Sequence, residues 1–409
     1  MDSRLAKKLV YRKQENKYDI CRVGVCIFSC MENDKTGKEN IEFSLPVLAF
    51  CEIVLCSTYV QRQKRFRKIY LPFSQSGSVP IFYRHAEIQK EIGFLLGGIR
   101  MKLGLIDLGS NSARMYLAKL EKDGFQILAR RRTMTRLSEG MGKDGVLQEM
   151  PISRTIAVLK DFAQEIKTAG AYPFAVATAA VRKATNQQEF CEKVKAEAGF
   201  PLFVIGGQTE AFFDFQGVMA ALPGVEDALI CDTGGGSTEL ILSKGRALQE
   251  KISLPFGAMS LTDVYGQNLH PAKDVLIKQL KEVAFLEEAK GFPLIGIGGS
   301  LCALAGLDGE SSVNGCTLSA KRVEEIFDTL LPLSPKERVE YGVETGRADT
   351  VCGGILPGLL LLKELAMPKL ILSTGGLREG ILAELQKDQP EFYSKHPEDF
   401  LKNYDAIEK

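Results

Sequence analysis

Three histidines in 409 residues (His85, His270 and His396) leave little room for a multi-histidine metal site or a Ser-His-Asp hydrolase. No apolar run reaches the ~18–20 residues needed to cross a bilayer. The GxxxxGK[ST] phosphate loop is missing. An excess of charge of one sign is missing too. The 52 Lys+Arg face 51 Asp+Glu, for a formal net charge of +1, so there is no overall electrostatic reason to bind nucleic acid or a membrane surface. What remains is an ordinary globular composition, 45% hydrophobic and 25% charged, long enough for two or three domains. Its chemistry must run on carboxylates, arginines and glycine-rich turns.

The averages conceal a break near residue 100. Residues 1–100 carry 17 Lys+Arg against 10 Asp+Glu and hold five of the ten cysteines, while 33 of the 39 glycines follow residue 100. Cys21, Cys26, Cys30, Cys51 and Cys56 form no CxxC pair and are not read as a metal site, and the later, scattered cysteines fit reduced thiols in the cytoplasm. The apolar run 45–60 contains Glu52, is too short to span a bilayer, and lies too far from residue 1 to be a secretory signal. The basic stretch 61–68 after it reads as a solvated face. An organised, glycine-punctuated sequence begins abruptly at Met101. Codons for Gly97-Gly98 are compatible with a ribosome-binding GGAGG, so translation is expected to start at Met101, with residues 1–100 as upstream sequence of no recognised fold.

Beyond Met101 a duplication is visible. Ile106-Asp107-Leu108-Gly109-Ser110-Asn111-Ser112 aligns with Cys231-Asp232-Thr233-Gly234-Gly235-Gly236-Ser237, 125 residues later, and each copy lies between apolar runs. Both read as strand, tight turn, strand. Glycine lets backbone N–H groups converge and a ligand approach closely, and such a concavity suits phosphate oxygens. The hydroxyls of Ser112, Ser237 and Thr238 add donors, and an Asp at each strand end can hold Mg²⁺. Two further turns, Gly296–Ser300 and Ser373–Glu379, lead from strands into helices, whose N-termini suit anions. Glu210 precedes the periodic set Phe212, Phe215, Met219 and Leu222, which places it in a helix's first turn.

These residues resemble the exopolyphosphatase / guanosine pentaphosphate phosphohydrolase family, of the actin, heat-shock chaperone and sugar-kinase superfamily. The resemblance runs in order through IDLGSNSAR (106–114), RLSEGM (136–141), ATAAVRKATN (177–186), GGQTEA (206–211), DTGGGSTEL (232–240), SLPFGAMSLT (253–262), GIGGS (296–300), GRAD (346–349) and GLREG (376–380). Ala113, Thr233 and Gly346 depart from the usual pattern. The resemblance implies an α/β protein with two ribonuclease-H-like domains facing across a cleft, expected at 101–223 and 224–385, and a polar tail, 386–409, that packs back on the first domain. It implies Mg²⁺-dependent hydrolysis of a terminal phosphoanhydride. Glu210 matches the water-activating base, Asp232 and Glu239 the metal and catalytic acids, and Asp107 the first-loop acid. Arg114, Arg182 and Arg347 match phosphate-facing arginines. Gly109, Ser110, Asn111, Ser112, Gly234, Gly235, Gly236, Ser237, Thr238, Gly298, Gly299 and Ser300 make up the expected phosphate cradle.

The leading expectation is a cytoplasmic exopolyphosphatase acting on inorganic polyphosphate. Hydrolysis of guanosine pentaphosphate stands beside it, because both substrates present the same terminal anhydride. A phosphotransferase using ATP and a non-catalytic polyphosphate or nucleotide sensor stay open from other classes. A homodimer is left open, and neither nucleic acid nor membrane is expected as a partner. Larger relatives continue with a helical domain where this chain has only its tail, which argues against high processivity on long polymers.

Overall fold

A computed structural model of the chain describes residues 69–71, 79–81, 102–121, 124–387, 400–401 and 404. Two units separate between Leu96 and Gly97. In the first, the described residues are β1 (Ile69–Leu71) and β2 (Val79–Ile81), an antiparallel pair. The early cysteines, the run 45–60, the basic stretch 61–68 and the proposed start at Met101 all lie outside the described residues.

The second unit is built on two sheets. Its first half contains β3 (Lys102–Leu108), β4 (Ser112–Glu121), β5 (Gly124–Met134), α1 (Glu149–Thr168), β6 (Tyr172–Ala177), α2 (Ala179–Arg182), α3 (Gln187–Ala198), β7 (Leu202–Val204) and α4 (Gly207–Ala221). The second half contains β8 (Ala228–Thr233), β9 (Thr238–Lys244), β10 (Ala247–Leu254), α5 (Ala258–Tyr265), α6 (His270–Lys281), β11 (Leu294–Ile297), α7 (Gly299–Leu307), β12 (Thr317–Leu318), α8 (Ala320–Leu330), α9 (Pro335–Glu340), α10 (Val351–Glu364), β13 (Leu370–Leu372) and α11 (Leu377–Lys387). The strand orders are β5-β4-β3-β6-β7 and β10-β9-β8-β11-β13-β12, the same pattern with one strand added. In each sheet a three-stranded antiparallel meander runs into parallel neighbours. This is the duplicated α/β arrangement expected from the sequence.

Local composition explains the strand positions. Six of the seven residues of β3 are buried, as a central strand covered on both faces requires. β5 carries Arg130, Arg131 and Arg132 and is largely exposed, which suits an edge that must not pair with another chain. On α1, Ile156, Leu159, Phe162 and Ile166 follow helical spacing and bury against the first sheet. α10 is buried at twelve of its fourteen residues and forms the centre of the second core.

Two helices fall between these cores. Phe213 of α4 packs with Leu105 and Val176 of the first sheet, whereas Phe215, Val218 and Met219 pack with Ile230, Ile241 and Ile297 of the second. α11 lies beyond the last strand of the second half, yet its Leu377, Ile381, Leu382 and Leu385 bury in the first sheet's core, beside Phe400 and Tyr404. Glycine makes this crossing close. A Cβ at Gly217 would overlap the backbone of Gly376, and one at Gly380 would overlap the carbonyl of Phe213. Among the described residues, no helix is long and apolar enough to cross a membrane.

Candidate active site

The two repeated turns close in the same way. Gly109 N–H donates to Ser112 O at 3.1 Å, and Gly234 N–H donates to Ser237 O at 3.0 Å. The turns also touch. A Cβ at Gly235 would stand 2.8 Å from Ser110 Cβ, and one at Gly236 would stand 2.9 Å from Ser110 Oγ, so glycine is what lets the halves meet here. Lys183 ties them further, donating from the end of α2 to the carbonyls of Gly236 and Pro255. The N–H groups of Ser110, Asn111, Gly235 and Gly236 bond to nothing within the described chain, as a phosphate cradle requires.

Past the turns the halves diverge. Asp107 pairs in register with Arg114, and Asp232 pairs at the equivalent place with Glu239. Asp107 accepts from Arg378, which the last helix carries into the first half. The Arg378 guanidinium also lies 4.9 Å from the Tyr116 ring centre, and Tyr116 donates to Glu379 at 2.8 Å. Burial and the charge of Arg378 push Arg114 below the usual arginine range. Burial and the Arg347 charge do the same to Arg132. Arg114, Arg132, Arg347 and Arg378 thus lie close enough for their charges to act on one another, with Arg378 paired to Asp107 and Arg132 and Arg347 paired to Glu344.

The opposite wall is acidic. Carboxylate oxygens of Asp214, Asp232 and Glu239 lie within 4.8 Å of one another. Both oxygens of Asp214, Oδ1 of Asp232 and Oε2 of Glu239 are buried without a hydrogen-bond partner. Ser253 donates to Glu239 Oε1 at 2.7 Å. Burial pushes Asp232 up to about 6, with Asp107 adding to the shift and Arg114 opposing it. Burial and then the Asp232 charge push Glu239 up to about 7. Orphaned, crowded carboxylate oxygens are the donor set of a hard divalent cation, so these residues fit one.

Glu210 lies in the first turn of α4, 8% exposed. Arg182 donates to its Oε2 at 3.0 Å and to Ile205 O at 2.8 Å. Burial, then the neighbouring Glu239 charge, hold Glu210 well above the usual carboxylate range despite that arginine. Gly298, at φ +82°, leads into α7, and a Cβ there would collide with Asp232 Oδ1. Arg347 covers Gly299 and is bonded to Glu344, which also accepts from Arg132 of β5 at 2.7 Å. Arg136 makes a bidentate pair with Asp349 at 2.7 and 3.0 Å. These ion pairs bridge the two halves.

The structure brings the two loop turns of the expected cradle together, and it places two of the expected site residues otherwise. Thr238 is fully buried and spends its hydroxyl on Phe256 O at 2.8 Å, so it fastens the loop instead of offering a donor. Asp107 stays outside the orphaned acid group because Arg378 holds it. Sequence reasoning passed over Asp214, Arg378 and Lys183. The one local signal for Asp214 was an acid inside the apolar stretch AFFDF, while Arg378 and Lys183 stood within quoted motifs whose partners only the fold supplies.

The model of the Ppx/GppA phosphatase family matches residues 117–389. A solved Aquifex aeolicus member of that family is 31% identical, the match covering 70% of this chain and 98% of that one, with a TM-score of 0.59. The chain belongs to the Ppx/GppA phosphatase family. Among other members, a solved Cytophaga hutchinsonii exopolyphosphatase is 25% identical, covering 70% of this chain and 98% of that one, at a TM-score of 0.64. A Haemophilus influenzae protein that carries exopolyphosphatase as a provisional name is 26% identical, over 71% of this chain and 93% of its own length. As a Ppx/GppA protein the chain has the two-domain actin-like fold and is a phosphoanhydride hydrolase.

Proposed function

We propose that this Ppx/GppA protein is an exopolyphosphatase, releasing terminal orthophosphate from inorganic polyphosphate. The observation that carries the reading is the two-sided site, with arginines and paired loop N–H groups on one wall and orphaned acids on the other. A terminal phosphoanhydride needs its oxygens neutralised and a water oriented in line, with little covalent help from protein. Arg114 and Arg378 face the phosphate oxygens, together with the N–H groups of Ser110, Asn111, Gly235 and Gly236. Asp232 and Glu239 would hold a divalent cation, Mg²⁺ on this reading. When bound, that cation supplies charge neutralisation at the scissile bond.

Glu210 accepts the proton of the attacking water. Arg182 fixes one of its oxygens and leaves the other for that water. A carboxylate raised by burial is a stronger base than one in water, and proton transfer is best served by a pKa near the working pH. Arg136–Asp349 and Arg132–Glu344–Arg347 hold the halves together around the substrate.

The test is phosphate release by the full chain from polyphosphate, guanosine pentaphosphate and ATP, side by side, with Mg²⁺ and with chelator. Mg²⁺-dependent release that is fastest from polyphosphate is expected. Faster release from guanosine pentaphosphate would reassign the substrate, and no release from any of the three would remove the hydrolase reading.

A further inference from the structure

The proposed mechanism leaves Asp214 unused, and unlike Asp107 it is held by no arginine. It stands one helical turn beyond Glu210 on α4, so both carboxylates leave the same side of that helix. Its side chain is fully buried, and neither oxygen meets a hydrogen-bond donor. One of its oxygens lies within 4.8 Å of a carboxylate oxygen of Asp232 on β8 and of Glu239 on β9, each of which has an orphaned oxygen of its own. On the far side, a Cβ at Gly376 would stand 3.4 Å from Asp214 Oδ1, so the Gly375-Gly376 turn walls the chamber closely.

A bracing role does not account for this residue. A carboxylate that pinned α4 to the start of α11 would accept from that helix's first N–H groups. Gly376 N–H goes to Glu379 and Gly375 N–H goes to the Ser373 hydroxyl. Burying an ionised carboxylate with no donor beside two others is strongly unfavourable, so burial and the neighbouring Asp232 charge hold Asp214 well above the usual carboxylate range, and the group either keeps a proton or shares a cation with the other two. Arg182 is engaged by Glu210 and Arg378 by Asp107.

We propose that Asp214 is a third carboxylate ligand, so that this protein holds its divalent cation on Asp214, Asp232 and Glu239 before any phosphate arrives. The inference rests on the reading of Asp232 and Glu239 as the cation-facing acids. Mg²⁺ sites of phosphate-transfer enzymes commonly use one or two carboxylates and complete the cation's shell with substrate phosphates. A third acid makes the protein a sufficient host by itself. The cation is then resident, and the phosphate polymer binds to a site already charged.

The experiment is a titration of the full chain with Mn²⁺, followed by its electron paramagnetic resonance, and with Mg²⁺ by calorimetry, both without any phosphate compound. The wild-type chain should take up one cation in this site. Asp214→Asn, which keeps the shape and removes the charge, should weaken binding about tenfold or more, at least the loss typical for partners outside the first shell of a metal. Thermal unfolding gives an independent reading. In chelator at neutral pH the Asn variant should melt higher than wild type, because the cost of burying that carboxyl, as a charge or by taking up a proton, is gone, and added Mg²⁺ should raise its midpoint less. Asp214→Ser applies the same test with a smaller side chain should the Asn variant fold poorly. Unchanged cation affinity together with an unchanged Mg²⁺-induced rise would overturn the proposal. Asp232→Asn separates the two levels. If it loses cation binding while Asp214→Asn does not, only the role of Asp214 falls. If neither variant loses binding, the cation-site reading falls as well.

Discussion

The two halves of the duplication share a turn and differ in what stands behind it. In the first, the strand partner of Asp107 is Arg114, and Arg378 neutralises the aspartate. In the second, the partner of Asp232 is Glu239, and orphaned oxygens gather there. One scaffold has been fitted with opposite charge at equivalent register positions. On the proposed reading the first half grips phosphate oxygens and the second holds the cation, so the anhydride is bound between complementary walls. A duplicated backbone supplies symmetry, and individual side chains break it.

The contrast is broken most severely at the acid facing the second loop. Glu210→Gln keeps the bond to Arg182 available but removes the proton acceptor, so hydrolysis should fall about 10²–10⁴-fold. Polyphosphate affinity, measured by equilibrium binding, should hardly move. A collapse of binding with a normal rate per bound substrate would make Glu210 a ligand contact instead.

Asp107→Asn and Asp232→Asn sharpen the comparison directly. The first strands the buried Arg378, and breaking such a pair should cost about 3–5 kcal/mol of stability, read as a lower urea midpoint. Its Mg²⁺ titration should keep the wild-type midpoint. Asp232→Asn should do the reverse, shifting the Mg²⁺ titration to higher concentration with a smaller change in stability. Matching behaviour of the two variants would mean that the halves are not specialised.

Protonation should expose the same asymmetry. Asp232 and Glu239 are raised in the folded chain to about 6 and about 7, so folding favours their protonated forms. Their stabilising contribution is full below the unfolded carboxylate range near pH 4 and is lost as pH rises through 6 and 7. In chelator the stability should therefore fall between about pH 4 and pH 7, by a few kcal/mol in free energy, and level off above. Mg²⁺ should restore it at the alkaline end, where the carboxylates are ionised. A flat profile in chelator would contradict the crowded-acid description.

The smallest effect is expected where the halves are strapped together. Arg136→Gln removes a half-buried bidentate pair with Asp349 worth about 1 kcal/mol. A KM raised a few-fold with kcat nearly intact is the expected outcome of initial-rate measurements. An equal fall in kcat would place the pair in the chemistry rather than in closure.

Much of this was legible in the amino-acid order because its causes are local. Glycines at Gly109 and Gly234–Gly236 between apolar runs specify strand, turn, strand wherever they occur, and both turns formed as read. Glu210 fell in a helix's first turn for the same reason. The last helix begins at Leu377, three residues before the apolar period suggested, because the Gly375-Gly376 turn starts it. Its placement on the first sheet was expected only from the family resemblance and was not legible in the residues themselves. That contact depends on Gly217 and Gly380 letting two backbones touch across more than 150 residues of chain.

The sequence by itself determined the duplicated strand–turn–strand units, the glycine cradle and the family, since each follows from residue types at short, fixed spacing. Only the tertiary structure decided the charges. It carried Arg378 to Asp107, removing that acid from the orphaned group, and turned Asp214 inward beside Asp232 and Glu239. Electrostatic roles depend on what lies within a few ångströms and on how much water is excluded, and neither quantity is a property of neighbours along the chain.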